Sequence, residues 1–286
     1  MPTDFHLHHQ DCLAGMREMP EASQDLVVTS PPYNLGIDYG KYDDKRSDTD
    51  YLAWCADWAA EIRRVLADDG SFFLNVGGSP SSPLLPHQLL LALCTPDLFV
   101  LQNTFHWIKS ITVETRAGEQ ISAGHFKPIN SKRYVNDCHE YVFHFTKSGT
   151  VPLDRRAAGV SYVYKCNIKR WKHTEGSDLR CRGNTWFIPY KTIKSRDKQR
   201  PHPASFPPAL VEQCISIHGK GPDTNLLDPF LGIGSSALAA KHLDIASFTG
   251  FEIDEDYLAV AQSRLAEDTP KDTPQGELSP NPDTKD

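Results

Sequence analysis

Residues 225–236 read Asn-Leu-Leu-Asp-Pro-Phe-Leu-Gly-Ile-Gly-Ser-Ser. The chain continues through Ala-Leu-Ala-Ala-Lys-His-Leu (237–243) to Ser-Phe-Thr-Gly-Phe-Glu-Ile-Asp (247–254). This spells strand, glycine turn, helix, strand. Asn225–Leu227 is short, apolar and bounded by a proline turn, as a buried strand is. Gly232 and Gly234 let the backbone approach a ligand closely. Ser235 or Ser236 stands where a helix N-cap is expected, and Ala237, Leu238, Ala240 and Leu243 suit a helix packed on a sheet. A second strand, Ser247–Phe251, ends in Glu252. A strand–helix–strand unit of this kind predicts an α/β fold around a parallel sheet.

Glu252 lies twenty residues beyond Gly232. An acid at that distance is placed to accept hydrogen bonds from ribose hydroxyls. The turn has only Gly-x-Gly and lacks the third glycine of a dinucleotide fingerprint. The expected ligand is therefore a nucleoside with a small charged tail, which S-adenosylmethionine fits better than a pyrophosphate does.

A second motif lies far upstream. Residues 29–34 read Thr-Ser-Pro-Pro-Tyr-Asn, directly after the apolar run Leu26-Val27-Val28. The strand Asp25–Thr29 should end at Ser30. Pro31 and Pro32 then fix φ and remove two backbone donors. A rigid turn holding the Ser30 hydroxyl beside a carbonyl can accept both hydrogens of an –NH2 group, drawing the nitrogen lone pair out of conjugation. Tyr33 offers a flat face to an extruded base, and Asn34 can pin the turn.

Together the two motifs resemble the beta-class amino-methyltransferases that modify DNA bases. In that arrangement the catalytic Ser/Asp-Pro-Pro-Tyr comes first, a target-recognition region follows, and the cofactor motif comes last. The resemblance covers roughly residues 8–265. Asp228-Pro-Phe230-Leu-Gly232-Ile-Gly234 with Ser235 matches the family's cofactor turn. Gly250-Phe-Glu252-Ile-Asp254 with Tyr257 matches the motif whose acid binds the cofactor ribose. His202-Pro-Ala-Ser-Phe206-Pro207 with Leu210 matches the segment closing the methionine side of the site. Asp11-Cys-Leu matches the segment whose acid approaches the adenine, and His139–Lys147 resembles another recurrent strand. The resemblance implies a Rossmann-like methyltransferase fold with circularly permuted motif order: a mostly parallel sheet, helices on both faces, and an inserted recognition region. It implies Ser30, Pro31, Pro32 and Tyr33 as the catalytic turn, S-adenosylmethionine as cofactor, and direct methyl transfer to a flipped base in double-stranded DNA. In the family, Ser in the first position of the turn goes more with cytosine-N4 and Asp or Asn with adenine-N6. Cytosine-N4 is therefore the expected target and adenine-N6 the alternative. An RNA or protein-glutamine amino-methyltransferase, or a DNA-binding module without activity, are further alternatives. The first pair would carry the reverse motif order. The last would not need both an amine-gripping turn and a nucleoside site.

Charge distribution points to the same partner. The formal net charge is −7, yet residues 151–200 hold thirteen basic residues against four acids, a local +9 that leaves −16 on the rest. Arg155, Arg156, Lys169, Arg170, Lys172, Arg180, Arg182, Lys194 and Arg196 are the expected DNA contacts, interleaved with Tyr162, Tyr164, Trp171, Trp186, Phe187 and Tyr190. Such a patch on an acidic body is an electrostatic footprint for phosphates.

The expected organisation is a catalytic half (1–150), a basic recognition insertion (151–200), a cofactor half (201–266) and a disordered acidic tail (267–286). Tyr51–Leu66 has helical apolar spacing and should end at Asp68-Asp69-Gly70, followed by a parallel strand Ser71–Val76. Leu84–Leu93 reads as a helix and Phe99–Ile108 as a strand. The polar segment 36–50 suits a lid or a plain surface loop, and 112–131 a loop facing DNA. Seven widely spaced cysteines without Cys-x-x-Cys predict buried free thiols, no disulfide and no metal site. His6, His8 and His9 suit an exposed N-terminal strand. No apolar run reaches the length of a membrane span, and residues 1–6 lack a signal-peptide pattern, so a cytoplasmic, nucleoid-associated protein is expected. The expected assembly is a monomer or homodimer, paired genetically with a restriction endonuclease.

Overall fold

A computed structural model of the chain describes residues 2–36, 42, 44–109, 111–114, 120–123, 130–162, 164–168, 170–171, 174, 176–189 and 205–268. In chain order the elements are β1 (Asp4–His9), α1 (Cys12–Glu18), β2 (Gln24–Thr29), α2 (Asp48–Val65), β3 (Leu66–Val76), α3 (Leu85–Leu93), β4 (Val100–Ile108), β5 (Ile111–Glu114), β6 (Gln120–Ala123) and β7 (His139–Thr146). There follow β8 (Val160–Ser161), β9 (Leu179–Arg180), β10 (Thr185–Phe187), α4 (Pro208–His218), β11 (Asn225–Asp228), α5 (Ser235–His242), β12 (Ser247–Glu252) and α6 (Glu255–Glu267).

Eight strands form one sheet in the order β1-β12-β11-β2-β3-β7-β4-β10. Every pairing is parallel except β3–β7 and β7–β4. Both faces are covered, so the central strands carry continuous apolar runs instead of alternation. One face packs Trp58 of α2 and Leu89 of α3 on Phe72 and Phe145. The other packs Val211 and Cys214 of α4 and Ala237 of α5 on Leu26, Phe73 and Phe248. The Rossmann-like expectation, with helices on both faces, therefore holds. From β11 the chain steps to β12, and from β2 it steps the other way to β3. The carboxyl ends of β11 and β2 thus flank a topological switch point, where open α/β sheets bind ligands.

Local readings differ from the structure in several places. Asp68-Asp69-Gly70 does not stop α2; these residues lie inside β3, which begins one residue after the helix. Leu66 is already extended (φ −73°, ψ 137°), and a register shift between Gln24 and Leu26 absorbs the irregular pairing. Neither Ser235 nor Ser236 caps α5. Gly234 is the N-cap residue, and Ser236 turns back to donate to Asp228. Trp186 is not a surface reader of bases. The segment Thr185–Phe187 joins the main sheet beside β4, and Trp186 is buried with its ring stacked on Phe105 at 4.3 Å. Within 112–131, β5 and β6 pair as an antiparallel hairpin; residues 115–119 and 124–129 lie outside the described residues.

Cys12, Cys55 and Cys214 are buried free thiols, whereas Cys166 and Cys181 are exposed. β1 is an edge strand, and His6, His8 and His9 are exposed on it, as expected. Among the described residues no helix is long and apolar enough to cross a membrane, and no cluster of side chains could hold a metal ion. The expected tail lies outside the described residues from 269 onward; Glu267 closes α6.

Candidate active site

The Ser30–Tyr33 turn leaves the carboxyl end of β2 and is fixed from several sides. Tyr51 of α2 donates its hydroxyl to the Pro32 carbonyl at 2.8 Å. Asn34 adopts φ 55° and exchanges two hydrogen bonds with the backbone of Arg46, at 2.9 and 2.7 Å. The buried Asp44 carboxylate accepts the Asn34 and Leu35 amides at 2.8 and 3.0 Å. Asn34 therefore pins the turn as its residue type suggested, by strapping it to the segment before α2. Of the segment read as lid or loop, residues 37–41 and 43 lie outside the described residues. The Arg46 guanidinium lies 4.8 Å over the Trp54 ring and 5.2 Å over that of Tyr42.

The glycine turn is held as firmly. Asp228, fully buried at the end of β11, accepts Thr29 Oγ1 at 2.6 Å, the Phe230 amide at 3.1 Å and the Ser236 hydroxyl. Burial pushes its carboxyl up to about 6, against the three donors that favour the charged form. Gly232 and Gly234 both take left-handed φ (53° and 77°). A Cβ on Gly234 would stand 2.9 Å from Ala261 Cβ, so glycine also lets α6 pack against the turn. Glu252, at the end of β12, accepts the Gly232 amide at 2.8 Å and the Asp254 amide at 2.9 Å. Burial raises its carboxyl above the usual range. The Ile253 amide also favours its charged form; a carboxylate offers about four acceptor positions, so at least one remains for a ligand hydroxyl.

One cavity joins the two turns. It is lined by Ser30, Pro31, Pro32 and Tyr33, by Asp11, Phe206, Phe230, Gly232, Ser235 and Glu252, and by Trp54, Arg46, Asn75, Trp107, Glu140 and Tyr257. Asp11 reaches it while capping α1 through the Leu13 and Ala14 amides. Phe230 packs edge-on against Trp54 and Trp58, at 5.6 and 5.7 Å. Asp228, Gly234 and Asp254 are not on the cavity wall. Asp228 ties the turns together, Gly234 begins α5, and Asp254 caps α6. His202 lies outside the described residues.

Sequence reasoning did not single out Asn75, Glu140 or Lys109. Tyr33 Oη contacts Ser30 Oγ at 2.7 Å, Glu140 Oε2 at 3.1 Å and the Asn75 carbonyl at 3.2 Å. The Asn75 amide donates to Glu140 Oε2 at 2.6 Å and to Tyr33 Oη at 2.9 Å. Lys109 Nζ sits 2.9 Å from Glu140 Oε1. The one available signal was a polar residue inside an apolar strand: Asn75 within Phe72–Val76, and Glu140 beside Tyr141–Phe145.

Of the expected DNA contacts, Arg155, Arg170 and Arg180 are exposed, and Arg156 and Arg182 are half-buried. Arg182 donates to the Ala158 carbonyl at 3.1 Å, and burial lowers its guanidinium below the ordinary value. Lys169, Lys172, Lys194 and Arg196 lie outside the described residues. Tyr164, Trp171 and Phe187 are exposed beside this surface.

Both turns open on one cavity at the switch point of the sheet. The model of the DNA methylase family matches residues 24–263, and the chain belongs to that family as a beta-class DNA amino-methyltransferase. It is similar to the type II methyltransferase M.ScaI of Streptomyces caespitosus, 33% identical over 274 residues, covering 92% of this chain and 82% of the relative. It is also similar to the DNA adenine methyltransferase YhdJ of Escherichia coli (strain K12), 25% identical over 260 residues, covering 90% and 81%. Among solved structures, the PvuII DNA methyltransferase (cytosine-N4-specific) shares the fold with a TM-score of 0.66 at 22% identity, covering 92% of this chain and 87% of that one.

Proposed function

We propose that this DNA amino-methyltransferase transfers a methyl group from S-adenosylmethionine to the N4 amine of cytosine in double-stranded DNA. The observation that carries the reading is the placement of Ser30 Oγ and the Gly232–Glu252 turn on one cavity wall. The donor set fits the cofactor. Glu252 retains acceptor capacity for a ribose hydroxyl, Asp11 offers a carboxylate on the adenine side, and Phe206 and Phe230 supply apolar walls. His202 belongs to the same proposed set. The cofactor supplies an activated methyl on sulfur, so the enzyme needs no covalent intermediate. The protein's part is placement and polarisation.

Ser30 Oγ and the Pro31 carbonyl accept the two amine hydrogens. The Pro32 carbonyl accepts the Tyr51 hydroxyl, which anchors the turn to α2. The Tyr33 ring, held by its hydroxyl, gives the flipped base a fixed face to stack on. Arg155, Arg156, Lys169, Arg170, Lys172, Arg180, Arg182, Lys194 and Arg196 grip phosphates from the 151–200 insertion, between the halves 1–150 and 201–266. A restriction endonuclease of the same sequence specificity is the genetic partner this reading implies.

Digestion of methylated duplex to nucleosides and mass spectrometry tests the target. N4-methylcytosine is the expected product. N6-methyladenine would establish the alternative, which the similarity to YhdJ favours. A product bearing 5-methylcytosine would overturn amine transfer altogether. Ser30→Ala is expected to lower kcat more than it raises KM, because its hydrogen bond strengthens as the nitrogen becomes tetrahedral.

A further inference from the structure

We propose that Glu140 is a positioning residue that fixes Ser30 as a hydrogen-bond acceptor and takes up the proton the target amine loses. The inference rests on the amine-transfer reading given above. Its ground is the half-buried chain Ser30 Oγ–Tyr33 Oη–Glu140 Oε2, with links of 2.7 and 3.1 Å.

Counting hydrogens gives the chain a direction. Glu140 holds a salt bridge to Lys109 at 2.9 Å and, as a carboxylate, can only accept. Asn75 spends its amide donors on Glu140 and Tyr33 Oη at 2.6 and 2.9 Å, with Ser30 Oγ a longer contact at 3.4 Å, and its carbonyl is a neutral acceptor 3.2 Å from Tyr33 Oη. The single Tyr33 proton is drawn to the charged acceptor, because charge-assisted hydrogen bonds are the stronger ones. Tyr33 Oη is then left to accept from Ser30. With its own proton committed to Tyr33, Ser30 turns lone pairs toward the cavity that it lines. A serine without this chain would be free to rotate and present a donor to the amine, which has no use for one.

The same chain can carry the proton away. As the amine nitrogen bonds the methyl carbon, that carbon's bond to sulfur breaks and the sulfur keeps the electron pair. The nitrogen, now cationic, gives a proton to Ser30 Oγ. The Ser30 proton passes to Tyr33 Oη, and the Tyr33 proton to Glu140 Oε2. Glu140 ends neutral, Lys109 remains an ammonium, and Glu140 returns to carboxylate by losing the proton to water. Lys109, the residue after β4, and Tyr33 in the turn are the titratable groups bonded to Glu140 among the described residues. Asn75 on β3 is bonded to it but does not titrate.

Single-turnover methyl transfer across pH, with cofactor and duplex affinities measured separately, tests this on the full chain. Glu140→Gln is expected to slow transfer by about a hundredfold or more, the scale of a lost proton acceptor. Both affinities should stay within about twofold, so that the loss sits in kcat and not KM. The wild-type rate should rise with pH on its acid side, and Glu140→Gln should lose that limb. Glu140→Asp, which keeps a carboxylate, should recover the limb. Tyr33→Phe keeps the ring but cuts the chain. It should match Glu140→Gln, and the double variant should be no slower than either alone. A slowed Glu140→Gln that keeps the wild-type pH profile would reduce Glu140 to a packing role and overturn the proposal, as would a Tyr33→Phe variant with full rate. If Glu140→Gln does not fold, Tyr33→Phe decides alone. Wild-type protein that methylates no base amine would instead remove the reading beneath it.

Discussion

Thr29 and Asp228 stand 199 residues apart in the chain and share a buried hydrogen bond of 2.6 Å. Thr29 is the last residue of β2 before the Ser30 turn, and Asp228 the last of β11 before the glycine turn. With the β2–β11 pairing, this contact ties the Ser30 turn to the glycine turn.

Removing that donor should loosen both. Thr29→Val is expected to cost about 1–3 kcal/mol, since it strips a partner from a fully buried carboxylate. Asp228→Ala should cost more, because it strands the Thr29 and Ser236 hydroxyls and the Phe230 amide. Asp228→Asn keeps an acceptor for Thr29 and Phe230 and should be milder. Urea unfolding of the three variants gives the order; equal midpoints would contradict it.

Acid should destabilise the protein from a second site. His144 and His218 both meet the Ser71 hydroxyl, at 3.0 and 3.1 Å, beneath α4. Burial lowers His144 to about 3 and His218 to about 4, from an ordinary 6.5. Because the folded-state values lie below the unfolded ones, their contribution is intact above pH 6.5 and is lost as pH falls toward 4. Each group then costs about 1.4 kcal/mol per pH unit. Asp228, raised to about 6 from 3.8, acts the opposite way: its contribution is lost as pH rises through 6. Glu252, also raised by burial, acts with Asp228, and the two histidines outweigh these carboxyls to leave a net fall in Tm from pH 7 to 5. His218→Gln should shrink that fall even while lowering Tm at pH 7, and an unchanged fall would refute the assignment.

Glu252→Ala should weaken S-adenosylmethionine binding by roughly tenfold or more, about 1.5–3 kcal/mol for a lost charged acceptor. The Gly232 and Asp254 amides lose their partner as well, so the turn should loosen. Calorimetry on the folded variant checks this, and unchanged affinity would place the ribose elsewhere.

The basic insertion should appear in salt dependence. Arg170 and Arg180 are both exposed. The pair Arg170→Glu with Arg180→Glu should lower DNA affinity and reduce the slope of log K against log salt by roughly 2, at about 0.9 per phosphate contact. Cofactor affinity should not change. A slope equal to that of the unaltered protein would put the phosphate contacts elsewhere.

The sequence by itself determined the α/β class, the two turns and the net charge of the 151–200 segment. Those features are local: a glycine pair, a proline pair and an apolar period each act over a few neighbours. Even there, Ser235 and Ser236 looked like caps because only the fold shows Ser236 serving Asp228, eight residues back. Trp186 looked like a base reader because only sheet pairing shows it stacked on Phe105. The tertiary structure alone decided that Glu140 meets Tyr33 across 107 positions, and Asn75 meets it across 42. The reason is physical. The parallel β2–β3 pairing and the antiparallel β3–β7 pairing set which side chains reach the carboxyl end of the sheet. Strand register is fixed by the summed packing of both faces, not by any residue's immediate neighbours.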